Sequence, residues 1–145
     1  MFPIPYIAAM NKIEHIGIAV RDKNKAIKLF EQLLNCAPYK TEQVESEKVE
    51  TVFYALGPNK IELLLSTDSD GTIAKFLDKK GEGFHHMAIA VDNIHAEIER
   101  LQKAGFEFVN SSPKAGADNK LICFLHPKST GGILVELCQE IDERA

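Results

Sequence analysis

The chain has 145 residues, 45% hydrophobic and 26% charged, which is ordinary usage for a compact globular domain. Its 17 basic and 21 acidic residues leave a net charge of −4, which argues against a nucleic-acid surface. No apolar run approaches the roughly 20 residues that a membrane-spanning helix needs.

Residues 1–10 are apolar, but Pro3 and Pro5 interrupt them and no basic stretch precedes them, so they do not read as a signal peptide. They are expected to form a disordered or interface-seeking extension, with Met10 an alternative start. Ile13 to Val20 reads as a strand. Asp22 or Asn24 can cap the helix that follows, where Ala26, Ile27, Phe30, Leu33 and Leu34 recur at helical spacing as far as Asn35. Three strands are predicted at about 37–44, 48–56 and 60–65, the last two joined by Gly57-Pro58-Asn59. Residues 66–83 form a joint, with an amphipathic helix from Thr72 to Lys80. A strand from Phe84 to Val91 then restarts the pattern. A helix over about 93–104 follows, stopped by Gly105, and strands near 106–110, 120–126 and 132–139 complete it. The fold class is α+β, two tandem β-α-β-β-β modules (about 11–65 and 84–140) of a single domain spanning 11–140, with 141–145 a tail. The three cysteines, Cys36, Cys123 and Cys138, are odd in number and lie in largely apolar surroundings. They are read as buried, reduced thiols of a cytoplasmic protein.

The two modules are copies. His15-Ile16-Gly17-Ile18-Ala19-Val20 returns 71 residues later as His86-Met87-Ala88-Ile89-Ala90-Val91. Ile61-Glu62-Leu63-Leu64 returns 74 residues later as Val135-Glu136-Leu137-Cys138, the added three residues falling in the longer hairpin at 127–132. Each copy therefore places one His at the start of its first strand and one Glu in its last. Side chains alternate along a strand, so Glu62 and Glu136 face away from their apolar neighbours, toward a concave side. Burying such carboxylates unpaired would cost several kcal/mol, and a cation satisfies them. Two imidazoles and two carboxylates suit an octahedral Co²⁺, Mn²⁺, Ni²⁺, Zn²⁺ or Fe²⁺, with Co²⁺ placed first, in a curved sheet around a metal-centred cleft. The metal ligands so nominated are His15, Glu62, His86 and Glu136. By strand parity His85 points opposite to His86, His95 is solvated at a helix start, and His126 is a candidate to line the cleft.

At these residues the chain resembles the vicinal oxygen chelate superfamily, and within it the epimerases acting on methylmalonyl-CoA. The resemblance covers about residues 11–140. It rests on Ile13-Glu14-His15-Ile16-Gly17-Ile18-Ala19-Val20, Asn59-Lys60-Ile61-Glu62-Leu63-Leu64, Gly81-Glu82-Gly83-Phe84-His85-His86-Met87-Ala88 and Phe124-Leu125-His126-Pro127-Lys128-Ser129, continuing through Val135-Glu136-Leu137. It implies the same four ligands, an acyl-CoA substrate, a homodimer, and interconversion of the (R) and (S) forms by metal-assisted proton abstraction through an enolate. It also implies that Glu136 is one acid/base. The second is expected on the third strand, where Thr51 stands at the family's position. Glu50, Glu47 or a water are then the candidates, Glu50 being one residue off and outward by parity. Thr51 and His126 are expected to touch substrate, and Lys128, with Lys114 and Lys120, to meet the CoA nucleotide. The competing activities are a glyoxalase I-like lactoylglutathione lyase, an extradiol dioxygenase, and a non-enzymatic small-molecule binder of the same fold.

Overall fold

The protein is described by a computed structural model covering residues 10–141, so the reading of the first nine residues and of the last four lies outside the described part. Strand β1 (Met10–Ala19) leads into α1 (Lys23–Leu34), β2 (Lys40–Val44), β3 (Val49–Leu56) and β4 (Asn59–Ser66). Helix α2 (Thr72–Lys80) joins this module to β5 (Gly83–Val91), α3 (Ile94–Lys103), β6 (Lys114–Gly116), β7 (Lys120–Phe124) and β8 (Val135–Glu140). Among the described residues the eight strands form one sheet in the order β2-β3-β4-β1-β5-β8-β7-β6. In each module the first strand pairs parallel with the last, and β1 meets β5 antiparallel at the centre. The two copies are thus related by a local twofold between β1 and β5. His15 lies opposite Ala88, and Gly17 lies opposite His86.

The outer face is apolar because α1 and α3 bury their stripes there. Ala26, Ile27, Phe30 and Leu34 of α1 pack on Val52, Tyr54, Leu63 and Leu65, and Ile94, Ile98 and Leu101 of α3 pack on Cys123, Val135 and Leu137. Helix α2 takes a different place: Ile73 and Leu77 cover Ala19, Val49 and Leu64, closing one end of the concave side. Among the described residues no helix is long and apolar enough to cross a membrane.

Two expectations are corrected. The second strand of module two is β6 at 114–116 rather than 106–110, where backbone pairing is limited to a Phe108–Leu125 bridge. Cys36 is exposed just past α1, while Cys123 and Cys138 are buried as expected, and burial pushes the thiol of Cys123 up to about 12. The sheet curls until its ends meet. Asp118, in the turn after β6, is held by Lys40 of β2 and Lys60 of β4, both at 2.7 Å, and its N–H donates to Glu42 of β2 at 3.0 Å.

Candidate functional site

The central strands bring two imidazoles face to edge. His15 Nε2 and His86 Nε2 are 2.9 Å apart, with their ring planes at 88°. Gly17 makes this possible, since a Cβ there would lie 2.2 Å from Cε1 of His86. Each His then meets a carboxylate from its module's last strand. Glu62 stands beside Gly17 across the β1–β4 pairing, and Glu136 stands beside Ala88 across the β5–β8 pairing, the same place in each copy. Glu136 lies 3.6 Å from His15 Nε2 and 3.5 Å from His86 Nε2. Glu62 reaches the other nitrogen of His15, Nδ1, at 3.0 Å. All four side chains are buried. The structure therefore gathers the whole quartet, with three members around the two Nε2 atoms and Glu62 one ring-width away.

Burial sets the electrostatics. It opposes charge on His15, yet hydrogen bonds to Glu14 and Glu62 and the nearby carboxylate charges overcome it and raise the imidazole to about 10. Burial and then the charge on His15 hold His86 well below its ordinary value, and burial lifts Glu136 to about 8. Two ring nitrogens this close need a shared proton or a cation between them. Metal–nitrogen bonds of about 2.1 Å place adjacent ligand atoms about 3 Å apart, so the 2.9 Å separation fits a divalent ion. The N and O donor set fits as well, and the 3.5–3.6 Å gaps to Glu136 leave room for its oxygens to close in.

The quartet forms one wall of a cavity of about 390 Å³. Thr51 and Leu64 line it from module one, Ile73 from α2, and Ile122, Phe124 and Leu134 from module two. Glu47, in the turn between β2 and β3, and Lys114 of β6 also line it, and they form an ion pair from module to module. Among the residues singled out by sequence, Thr51 lines the cavity, while Glu50 faces outward and pairs with Lys23 of α1 at 2.9 Å. Glu50 thus does not line the cavity: the regular β3 pairing carries its carboxylate to the outer side, as its parity requires. His126 and Lys128 do not line the cavity either. Both sit in a turn away from the cavity, His126 Nδ1 accepting from the Lys128 N–H and Lys128 pairing with Glu107 at 2.6 Å. Lys120 is buried beside Glu140, outside the cavity.

Two residues escaped the sequence reading. His85 lines the cavity and puts its Nδ1 3.0 Å from Nδ1 of His86, against the parity expectation. Burial and then the charge of Lys80 bring its pKa down to about 4, so it is neutral. Glu14 is buried and lies 3.2 Å from Nδ1 of His15. The signal that could have found them is the repeat itself, because they are equivalent at the 71-residue offset and each is a polar residue inside an apolar strand.

A curled eight-stranded sheet of two βαβββ copies, with two His and two Glu at their junction, defines a class. The chain belongs to the glyoxalase/bleomycin resistance protein/dioxygenase superfamily, which it matches over residues 14–124. It is 39% identical to the mitochondrial methylmalonyl-CoA epimerase of Homo sapiens over 131 residues, 90% of this chain and 74% of that one. The methylmalonyl-CoA epimerase of Mycobacterium tuberculosis superposes with a TM-score of 0.90 at 29% identity, covering 99% of this chain and 95% of that one. A single-residue variant of the Streptomyces coelicolor methylmalonyl-CoA epimerase, in complex with 2-nitronate-propionyl-CoA, gives 0.86 at 28% identity, covering 90% and 95%.

Proposed function

We propose that this protein is an isomerase that interconverts (R)- and (S)-methylmalonyl-CoA by removing and returning the α-proton. The observation that carries the reading is the meeting of two carboxylates, Glu136 of module two and Glu47 of module one, on one cavity beside the paired imidazoles. Epimerisation needs proton exchange at both faces of one carbon, and these groups come from opposite halves. The 39% identity to the human enzyme supports the substrate assignment.

His15, Glu62, His86 and Glu136 would hold a divalent cation, Co²⁺ in first place with Mn²⁺, Ni²⁺, Zn²⁺ or Fe²⁺ as alternatives. Bound there, it would supply Lewis-acid stabilisation to negative charge developing on a carbonyl oxygen. Glu136 takes the α-proton on one side and Glu47 delivers one on the other; each reverses its role in the opposite direction. Thr51 presents its hydroxyl to the reacting group. Leu64, Ile73, Ile122, Phe124 and Leu134 make an apolar lining that excludes water, so charges at the reacting carbon are felt at full strength. Lys114, at the cavity and joined to Glu47, is the cation placed to meet an acyl-CoA phosphate. A homodimer and a cytoplasmic location belong to the same reading.

The test is incubation of the Co²⁺-loaded protein with (R,S)-methylmalonyl-CoA in D₂O. Deuterium should enter the α-position of both isomers, and absence of exchange would overturn the assignment. A parallel assay with methylglyoxal and glutathione tests the lyase; turnover there without α-exchange would replace this reading with that one.

A further inference from the structure

We propose that Glu14 and His85 are paired positioning residues, each fixing the imidazole that follows it so that Nε2 of His15 and of His86 is presented to a shared cation. The inference rests on the metal-site reading above and adds residues outside the ligand quartet.

Three observations meet here. The first is backbone register. Between β1 and β5, Ile13 pairs with Ile89 and His15 with Ala88, so Glu14 is an extra residue on β1. Gly17 pairs with His86 and Ile18 with Phe84, so His85 is an extra residue on β5. These are β-bulges, which re-aim a side chain that regular alternation would send to the other face. Without them, Glu14 and His85 would point into the apolar layer under the helices. With them, both join the histidines on the concave side.

The second is the contacts. Glu14 Oε1 lies 3.2 Å from His15 Nδ1, and His85 Nδ1 lies 3.0 Å from His86 Nδ1. In both cases the nitrogen engaged is the one that does not face the partner histidine. A proton on Nδ1 donated to Glu14 or to His85 leaves Nε2 as a lone pair, and ligating histidines are ordinarily held in this way. Glu62 also lies at His15 Nδ1, at 3.0 Å. When Glu62 serves as a ligand, Glu14 remains as the acceptor for that proton.

The third is anchoring, since a positioning group must itself be fixed. Lys60 holds Glu14 at 3.3 Å and is held in turn by Asp118. Phe76 of α2 packs edge-on against the His85 ring, with centroids 4.9 Å apart. The two devices are equivalent in position and different in chemistry. A carboxylate backs His15 and makes it the stronger donor, while a neutral imidazole backs His86.

The experiment uses the full chain with ¹⁵N-labelled histidine. Long-range ¹H–¹⁵N correlations of the metal-free protein, recorded above the His15 value of about 10 so that both imidazoles are neutral, report which ring nitrogen carries the proton, and titration with Co²⁺ alone near neutral pH reports affinity. Glu14→Ala should disturb the His15 tautomer and leave that of His86; His85→Ala should do the reverse. Each should weaken Co²⁺ binding by about 10- to 100-fold. Glu14→Gln and His85→Asn keep an acceptor of nearly the same shape and should restore the tautomer and most of the affinity, which a general packing defect would not allow. Unchanged tautomers, or affinities within about twofold of the parent in both alanine variants, would overturn the proposal. If the parent chain itself takes up no Co²⁺, the metal reading fails, and the tautomer measurement still decides the positioning role.

Discussion

Gly17 is where backbone space decides site geometry. Its twofold-related residue, Ala88, tolerates a methyl beside His15, but at Gly17 a Cβ would fall 2.2 Å from the ring of His86. Gly17→Ala must push that imidazole away from Nε2 of His15. Overpacking of this kind costs about 1–3 kcal/mol, and the Co²⁺ site should be lost with it. Urea unfolding and metal titration check both; an undiminished Co²⁺ affinity would show that the ring has room to yield. The two glutamates of the β2–β3 region make a second contrast. Glu47→Gln should lower turnover by about 10²–10⁴-fold, the usual range for a lost acid/base. Glu50→Ala, which removes only a partly exposed pair with Lys23, should leave turnover near that of the parent. Steady-state rates with each isomer decide, and the opposite ordering would return the second base to Glu50. The quartet was legible in sequence because duplication wrote it twice. Glu14 and His85 were not read, because a bulge has no residue-type signature and simple alternation gives the wrong face on either side of it.

At the scale of elements, the repeat extends to the helix caps. Asp22 accepts from the N–H of Lys25 at the start of α1, and Asn93 accepts from the N–H of Ala96 at the start of α3, both at 3.1 Å. Asp22→Ala and Asn93→Ala should each destabilise by about 1 kcal/mol without altering Co²⁺ affinity, since neither cap approaches the cavity. Denaturant midpoints and metal titrations on the two variants test this, and a loss of metal would mean that the helices steer the sheet. Capping residues and apolar spacing are local signals, which is why α2 was legible to the residue. The strand expected at 106–110 shows where local signals mislead. Phe106 and Phe108 alternate as in a strand, but they are spent on packing against the α3 cluster. The edge strand forms later, at 114–116, where it pairs with β7. Position relative to the other module, absent from any short window, selects that segment.

For the molecule as a whole, the site and the closure of the sheet are both joints between modules. A cation held by β1, β4, β5 and β8 would tie the halves together, so the Co²⁺-loaded protein should melt above the EDTA-treated one. At a free ion concentration 100 times Kd the gain is about 2.7 kcal/mol, and equal Tm values would argue that the ion does not bridge the halves. The second joint is Asp118, which takes Lys40 and Lys60 at 2.7 Å each, with the Tyr39 hydroxyl donating to it at 3.3 Å and its own N–H on Glu42. Burial would raise its pKa, but hydrogen bonds from Lys40 and Lys60 and their charges prevail and draw it from 3.8 to about 2. A carboxyl depressed on folding stabilises the native state fully above its unfolded pKa, and that contribution disappears as pH falls through the folded one. Stability should therefore drop between about pH 4 and pH 2 as the latch protonates. Asp118→Asn should be less stable than the parent at pH 7, because it leaves Lys40 and Lys60 without that charge. It should also lose stability less steeply across the acid window. Urea unfolding at a series of pH values measures both. Parallel acid limbs for the two proteins would mean that Asp118 does not carry the closure and that other carboxylates, Glu14 and Glu42 among them, hold the ends of the sheet together.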